Sequence, residues 1–129
     1  MNPIEVIGRP YCLGGDFVNR EGGDCVALGR LVLTHYGIEA PVPQRSWYRR
    51  LRKGDYSVFP DELSKWGIET KDIDYGTIAL CKGLEGLAMA SYFDRGWLSF
   101  QIRYGESAVR WSPIEALDVV AFYCPRKSS

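Results

Sequence analysis

Between Gly8 and Gly37 the chain reads GRPYCLGGDFVNREGGDCVALGRLVLTHYG, a glycine-rich loop running straight into an almost wholly apolar segment. Asp24 suits a helix N-cap and Gly37 suits the residue just past a helix end, so the segment between them is read as a helix. With Cys25 as reference, Val32 and Tyr36 fall on its side of the helix, and only Ala27, Arg30 and Thr34 are expected to face solvent. A helix with so narrow a polar stripe must be covered on most sides. The rest of the chain has to be arranged around it.

Cys25 opens that helix behind a loop with little side-chain bulk. Helix amides and the positive end of the dipole favour a thiolate at such a position. The loop glycines would let a substrate backbone approach. Free cysteine is also among the most buried residue types, so a plain core thiol is an equal reading. The glycine pattern lacks the spacing of a dinucleotide or phosphate loop.

A length of 129 residues fits one domain, 1–129, with a single core. Sixteen Lys and Arg balance sixteen Asp and Glu, so no global field attracts nucleic acid or a membrane surface. No apolar stretch approaches the length of a membrane span. The start, MNPIEVIGRP, has neither a basic segment nor an apolar core, and no signal peptide is expected. Cys12, Cys25, Cys81 and Cys124 show no CxxC pairing and there is one histidine, so neither a metal nor another cofactor is expected. They are read as free thiols in a reducing cytoplasm.

Asn2-Pro3 opens a short helix, with Ile4 and Ile7 expected to pack inward. From Glu39 to Val58 two prolines lead into Arg45, Arg49, Arg50, Arg52 and Lys53, set among Trp47, Tyr48 and Tyr56. Such a segment could hold a phosphate backbone or single-stranded bases. A solvated surface with aromatics tucked beneath it is the plainer reading. A protein partner anchored by Arg45, Trp47, Arg49 and Arg50 is the better functional one, and no specific nucleic acid is expected. Ser57 to Trp66 is a short helix stopped by Gly67. Strands are then expected within IETKDI and at Thr77–Lys82, Leu87–Phe93, Trp97–Tyr104 and Asp118–Tyr123. Turns fall at LEG and at Asp94-Arg95-Gly96, and Gly105-Glu106 turns into SAVRW. Ser112-Pro113-Ile114-Glu115 reads as a capping box on a one-turn helix. Helices first and an antiparallel meander of four to six strands after make the fold class α+β.

Pro10-Tyr11-x-x-Gly14-Gly15 with Gly22-Gly23-Asp24-Cys25, the helix end His35-Tyr36-Gly37-Ile38, and the closing VVAFYCPRK together resemble the NlpC family of cysteine peptidases. The nearest likeness is to the subgroup found in tail-tip assembly proteins of long-tailed phages, and it spans the whole chain. The resemblance implies a papain-like fold and cleavage of peptide bonds in bacterial peptidoglycan. It gives Cys25 the nucleophile position, with Tyr11 and Gly15 beside it as substrate-binding residues. It also requires a histidine on the strand LAMASYF, where Ala88 or Met89 stands. The residue that would orient that histidine falls in WLSFQIR, with Ser99 and Gln101 as candidates. His35 cannot replace it: ten residues along one helix is roughly 15 Å, and a base must sit within about 3 Å of its nucleophile. His35 is read as half-buried near the end of the helix.

Two functions follow. In one, the chain is a structural part of a phage tail tip, made in the bacterial host cytoplasm and carried in the virion among other tail-tip or baseplate proteins. In the other, Cys25 still serves an endopeptidase or amidase acting on peptidoglycan peptides. A missing base forfeits about 10²–10⁴ in rate, which favours the first.

Overall fold

The computed structural model describes residues 2–18, 21–83 and 86–125. Helices α1 (Cys25–His35), α2 (Arg45–Arg52) and α3 (Val58–Trp66) come first. Strands β1 (Ile68–Thr70), β2 (Ile78–Lys82), β3 (Leu87–Phe93), β4 (Gly96–Arg103), β5 (Glu106–Pro113) and β6 (Val119–Cys124) follow. Among the described residues these six strands form one antiparallel sheet in the order β1-β6-β2-β3-β4-β5. The fold class is therefore α+β, and β2, β3 and β4 are sequential antiparallel neighbours.

Both ends of α1 are closed as the sequence implies. The Asp24 carboxylate accepts from the Ala27 amide at 2.8 Å. At the other end Gly37 takes φ +75°. The Ile38 amide donates to the Leu33 carbonyl at 2.9 Å and the Gly37 amide to Thr34 at 3.0 Å. That pair of bonds is a Schellman closure, which needs a left-handed residue at Gly37.

The sheet sorts its side chains by alternation. Ile78, Leu80, Met89 and Tyr123 pack under the helices with Cys25, Val26, Leu33, Trp47, Phe59, Leu63 and Trp66. Their strand neighbours Ala79, Cys81, Ala90 and Trp97 turn to the opposite face, under Ile73, Ile114 and Leu117. Phe93 and Leu98 join the helix side with Leu28, Val32 and Phe17. Full burial of each large apolar side chain is worth about 1.5–3 kcal/mol, and Trp47 is completely buried.

β5 is an edge strand, and residues just before the loop cover it. Gly8 donates to Val109 at 2.8 Å, Val109 to Arg9 at 3.0 Å, and Tyr11 to Ser107 at 3.1 Å. These bonds satisfy an exposed edge and hold Tyr11 over β4. The tight turns at Asp94-Arg95 and Tyr104-Gly105 both have two positive φ values, +50° and +59°, then +54° and +80°. Two left-handed residues in a two-residue loop are the signature of a type I′ hairpin turn.

Several local expectations are corrected. Asn2 does cap a turn at Pro3–Val6, but the turn is 3-10. It buries Pro3 and Val6, leaving Ile4 and Ile7 exposed. His35 is exposed rather than half-buried. Ser112 makes no cap; it lies buried in β5 and accepts from the Gln101 amide, and the short helix at Ile114–Ala116 starts from Pro113. Only Ile68–Thr70 of IETKDI is strand. The basic segment, read as a solvated surface stretch, contains helix α2. The turn read at LEG and the Pro-Arg finish fall partly on positions 84–85 and 126–127, outside the described residues.

Candidate functional site

Asp24 organises the loop and the start of α1. It is fully buried, yet both of its carboxylate oxygens accept hydrogen bonds. One carboxylate oxygen takes the Ala27 amide, the other takes the Gly14 amide at 2.8 Å, and the Tyr48 hydroxyl of α2 also bonds it. Burial pushes the carboxyl upward, and the amides of Ala27, Gly14 and Val26 with Tyr48 pull it back. Loop, α1 and α2 therefore meet on one carboxylate.

Cys25 sits next to that group and is 8 % exposed. Its thiol lies against the Met89 backbone of β3. Burial first, and the Asp24 charge second, hold it well above the ordinary thiol range. The helix end does not prevail: desolvation of a thiolate outweighs the dipole, so the expected activation is absent.

The residues opposite Cys25 are apolar. Of the two candidate base positions, Met89 packs in the helix-side core with Cys25, while Ala88 turns to the other face. The Met89 methyl lies only 2.7 Å from where a Cβ on Gly29 would stand, so Met89 presses directly on α1. Ser99 and Gln101 alternate with Phe100 along β4 and bond each other at 3.2 Å. The residue on the Cys25 side is Phe100, which packs against the helix-side core. Ser99 and Gln101 are thereby corrected as site candidates.

Tyr11 packs beside Phe100, its ring meeting the phenyl edge-on at 5.2 Å. Burial, then the nearby Cys25 and Asp24, push its hydroxyl upward. Gly15 has a different reason for being glycine. A Cβ there would stand 2.6 Å from the Gly22 carbonyl oxygen, and one on Gly23 would stand 2.6 Å from the Phe17 ring. These glycines let the loop fold onto itself around Phe17.

His35 lies at the far end of α1, its ring 5.1 Å from Tyr36 and 5.5 Å from Phe93. All four cysteines are free, Cys12 exposed and the other three buried. Among the described residues no group of three or more His, Cys, Asp or Glu is arranged to hold a metal ion. No described helix is long and apolar enough to cross a membrane.

α2 divides the basic segment into two faces. Trp47 is wholly buried between Phe59 and Trp66, at 6.1 and 5.4 Å, so it is no surface anchor. Arg50 is spent within the chain on Asp55 and Asp61, at 2.7 and 2.8 Å. Arg45, Tyr48, Arg49 and Arg52, with Lys53 and Gly14 of the loop, line an open concavity of about 590 Å³. Tyr48 thus joins the concavity to Asp24. Its ring was visible in the sequence as one aromatic among arginines, but nothing in the spacing ties position 48 to position 24. Phe100 could have been found from the alternation of WLSFQIR once its buried face was known.

The sequence matches no protein-family model and no curated protein.

Proposed function

We propose that this chain is a structural and assembly component of a phage tail tip, built on a papain-like, NlpC-type peptidase fold that no longer performs the chemistry. The observation that supports this reading is the pair Met89 and Phe100 on the side of the sheet where Cys25 lies. A cysteine peptidase needs a proton acceptor and a group to orient it at those places. A thioether and a phenyl ring can do neither. The chain would be made in the host cytoplasm and retained in the virion, with tail-tip or baseplate proteins as partners and Arg45 and Arg49 among the contact residues.

The test is direct. The purified protein is incubated with bacterial peptidoglycan and the soluble products are followed by mass spectrometry. No new peptide ends are expected. The phage carrying Cys25→Ser, nearly isosteric, should still form infectious particles. Cleavage by the unmodified chain that disappears with Cys25→Ser would overturn the structural reading and restore the peptidase.

A further inference from the structure

We infer that the cationic face of α2 is a docking site for an acidic protein segment, one that presents several carboxylates within about 10 Å. Arg45, Arg49 and Arg52 stand at i, i+4 and i+7, a ridge of about 10 Å along the helix. All three are exposed, as is Lys53. Among the described residues none of these four has an ion-pair partner, whereas Arg50 has two. The ridge forms one wall of the concavity that Gly14 and Tyr48 complete.

The start of the helix is poorly satisfied by its own chain. Gln44 gives no side-chain cap and the first turn carries no acid. Like charges at i, i+3 and i, i+4 repel each other along the exposed face. Among the described residues no acid pairs with Arg45, Arg49 or Arg52 to offset that repulsion, which is the mark of a surface shaped for something else. Carboxylates would remove the repulsion, and guanidinium groups are the side chains best suited to bind them in pairs.

The partner chemistry is narrowed by the rest of the molecule. The five cations of residues 45–53 leave eleven cations against sixteen acids elsewhere. A long polyanion or a charged membrane would meet that acidic remainder, while a short acidic segment meets only the groove. Single-stranded bases would need several stacking rings, but Trp47 is buried and a single ring, Tyr48, is among the described residues that line the concavity.

The inference rests on the assembly reading only in taking the occupant to be a protein. Binding of hexaglutamate to the full chain is measured by calorimetry at low and high salt, with a thymidine oligonucleotide of equal charge as comparison. Hexaglutamate should bind, more tightly than the oligonucleotide, and weaken with salt. Arg49→Glu with Arg52→Glu should weaken it about tenfold or more. Arg49→Gln with Arg52→Gln, which relieves the repulsion and keeps the fold, should weaken it in the same sense. Lys71→Glu with Lys82→Glu, an equal charge change at exposed sites elsewhere, should have little effect. No hexaglutamate binding, binding indifferent to Arg49 and Arg52, an equal loss in the lysine pair, or tighter oligonucleotide binding would each overturn the inference. Phage assembly that fails with the Arg49 and Arg52 variants although hexaglutamate never bound would overturn it while leaving the assembly reading intact.

Discussion

Tyr48 donates its hydroxyl to the buried carboxylate of Asp24, so the middle of α2 is tied to the first turn of α1. The same carboxylate holds the Gly14 and Ala27 amides. Removing it strands three donors, and removing Tyr48's hydroxyl strands none of the amides. Asp24→Ala should therefore cost about 2–4 kcal/mol, combining a lost helix cap with buried donors left unpaired. Tyr48→Phe should cost about 1 kcal/mol. Urea unfolding of both single variants and the double variant measures the coupling. Additive losses would mean that the two groups do not interact.

The β3–β4 turn carries an avoidable cost. Arg95 has φ +59°, a left-handed conformation that a side chain with a Cβ resists. A type I′ turn favours Asp-Gly, and Asp94 already fills the first place. Arg95 is exposed, so nothing packs on its side chain to be lost. Arg95→Gly is expected to stabilise the protein by about 0.5–1 kcal/mol, after the extra entropy of glycine in the unfolded chain is counted. A melting temperature raised by a few degrees is the readout, and a lowered one would show that the turn is not strained.

The parts of this architecture that were legible in the sequence are those fixed by local chemistry. Leu87–Phe93 alternates because Leu87, Met89 and Phe93 lie on the helix side while Ala88, Ala90 and Tyr92 lie on the other, and its ends match the observed strand. Asp24 and Gly37 mark helix ends by backbone geometry that their neighbours cannot disguise. α2 was hidden because arginines and flanking prolines mask its only apolar pair, Trp47 and Leu51, which stand at i and i+4. Ser112 carries a capping motif, but as the partner of Trp97 in the sheet it is held in β5, and the strand prevails over the motif. Which of Ala88 and Met89 faces Cys25 depends on how β3 is placed under α1. That is a tertiary fact, and periodicity alone leaves it open.

Alkaline conditions should destabilise the fold. Cys25 and Tyr11 are held above their ordinary values of 9.0 and 10.0, chiefly by burial. Cys81 is pushed up to about 11 and Tyr48 to about 12, again chiefly by burial. All four are neutral at pH 7. The unfolded chain releases these protons first, so the stability they contribute is complete below about pH 9 and is lost as pH rises towards the folded values. Urea unfolding at pH 7.5, 9 and 10 should show a progressive fall, shallower in Cys25→Ser because one buried thiol is gone. A stability unchanged up to pH 10 would contradict the burial of these groups.

The thiols themselves should divide into two classes. Cys12 is exposed, whereas Cys25, Cys81 and Cys124 are buried. With iodoacetamide at pH 7.5, peptide mapping over time should find Cys12 alkylated first and the other three only as the chain opens. Urea should then release all four at similar rates. Met89→His probes the seam between α1 and β3 most closely, because it sets an imidazole on the side of the sheet where Cys25 lies. The site is buried, so a thiolate–imidazolium pair there must overcome the desolvation of both charges. Alkylation of Cys25 at neutral pH should rise in this variant, since a thiol with an adjacent base ionises more readily. Peptide cleavage should still be absent, because Phe100 offers nothing to orient the imidazole. If Cys25 of the unmodified chain reacts as fast as Cys12, the thiol is neither buried nor suppressed. Its neighbourhood must then open often enough to admit a substrate.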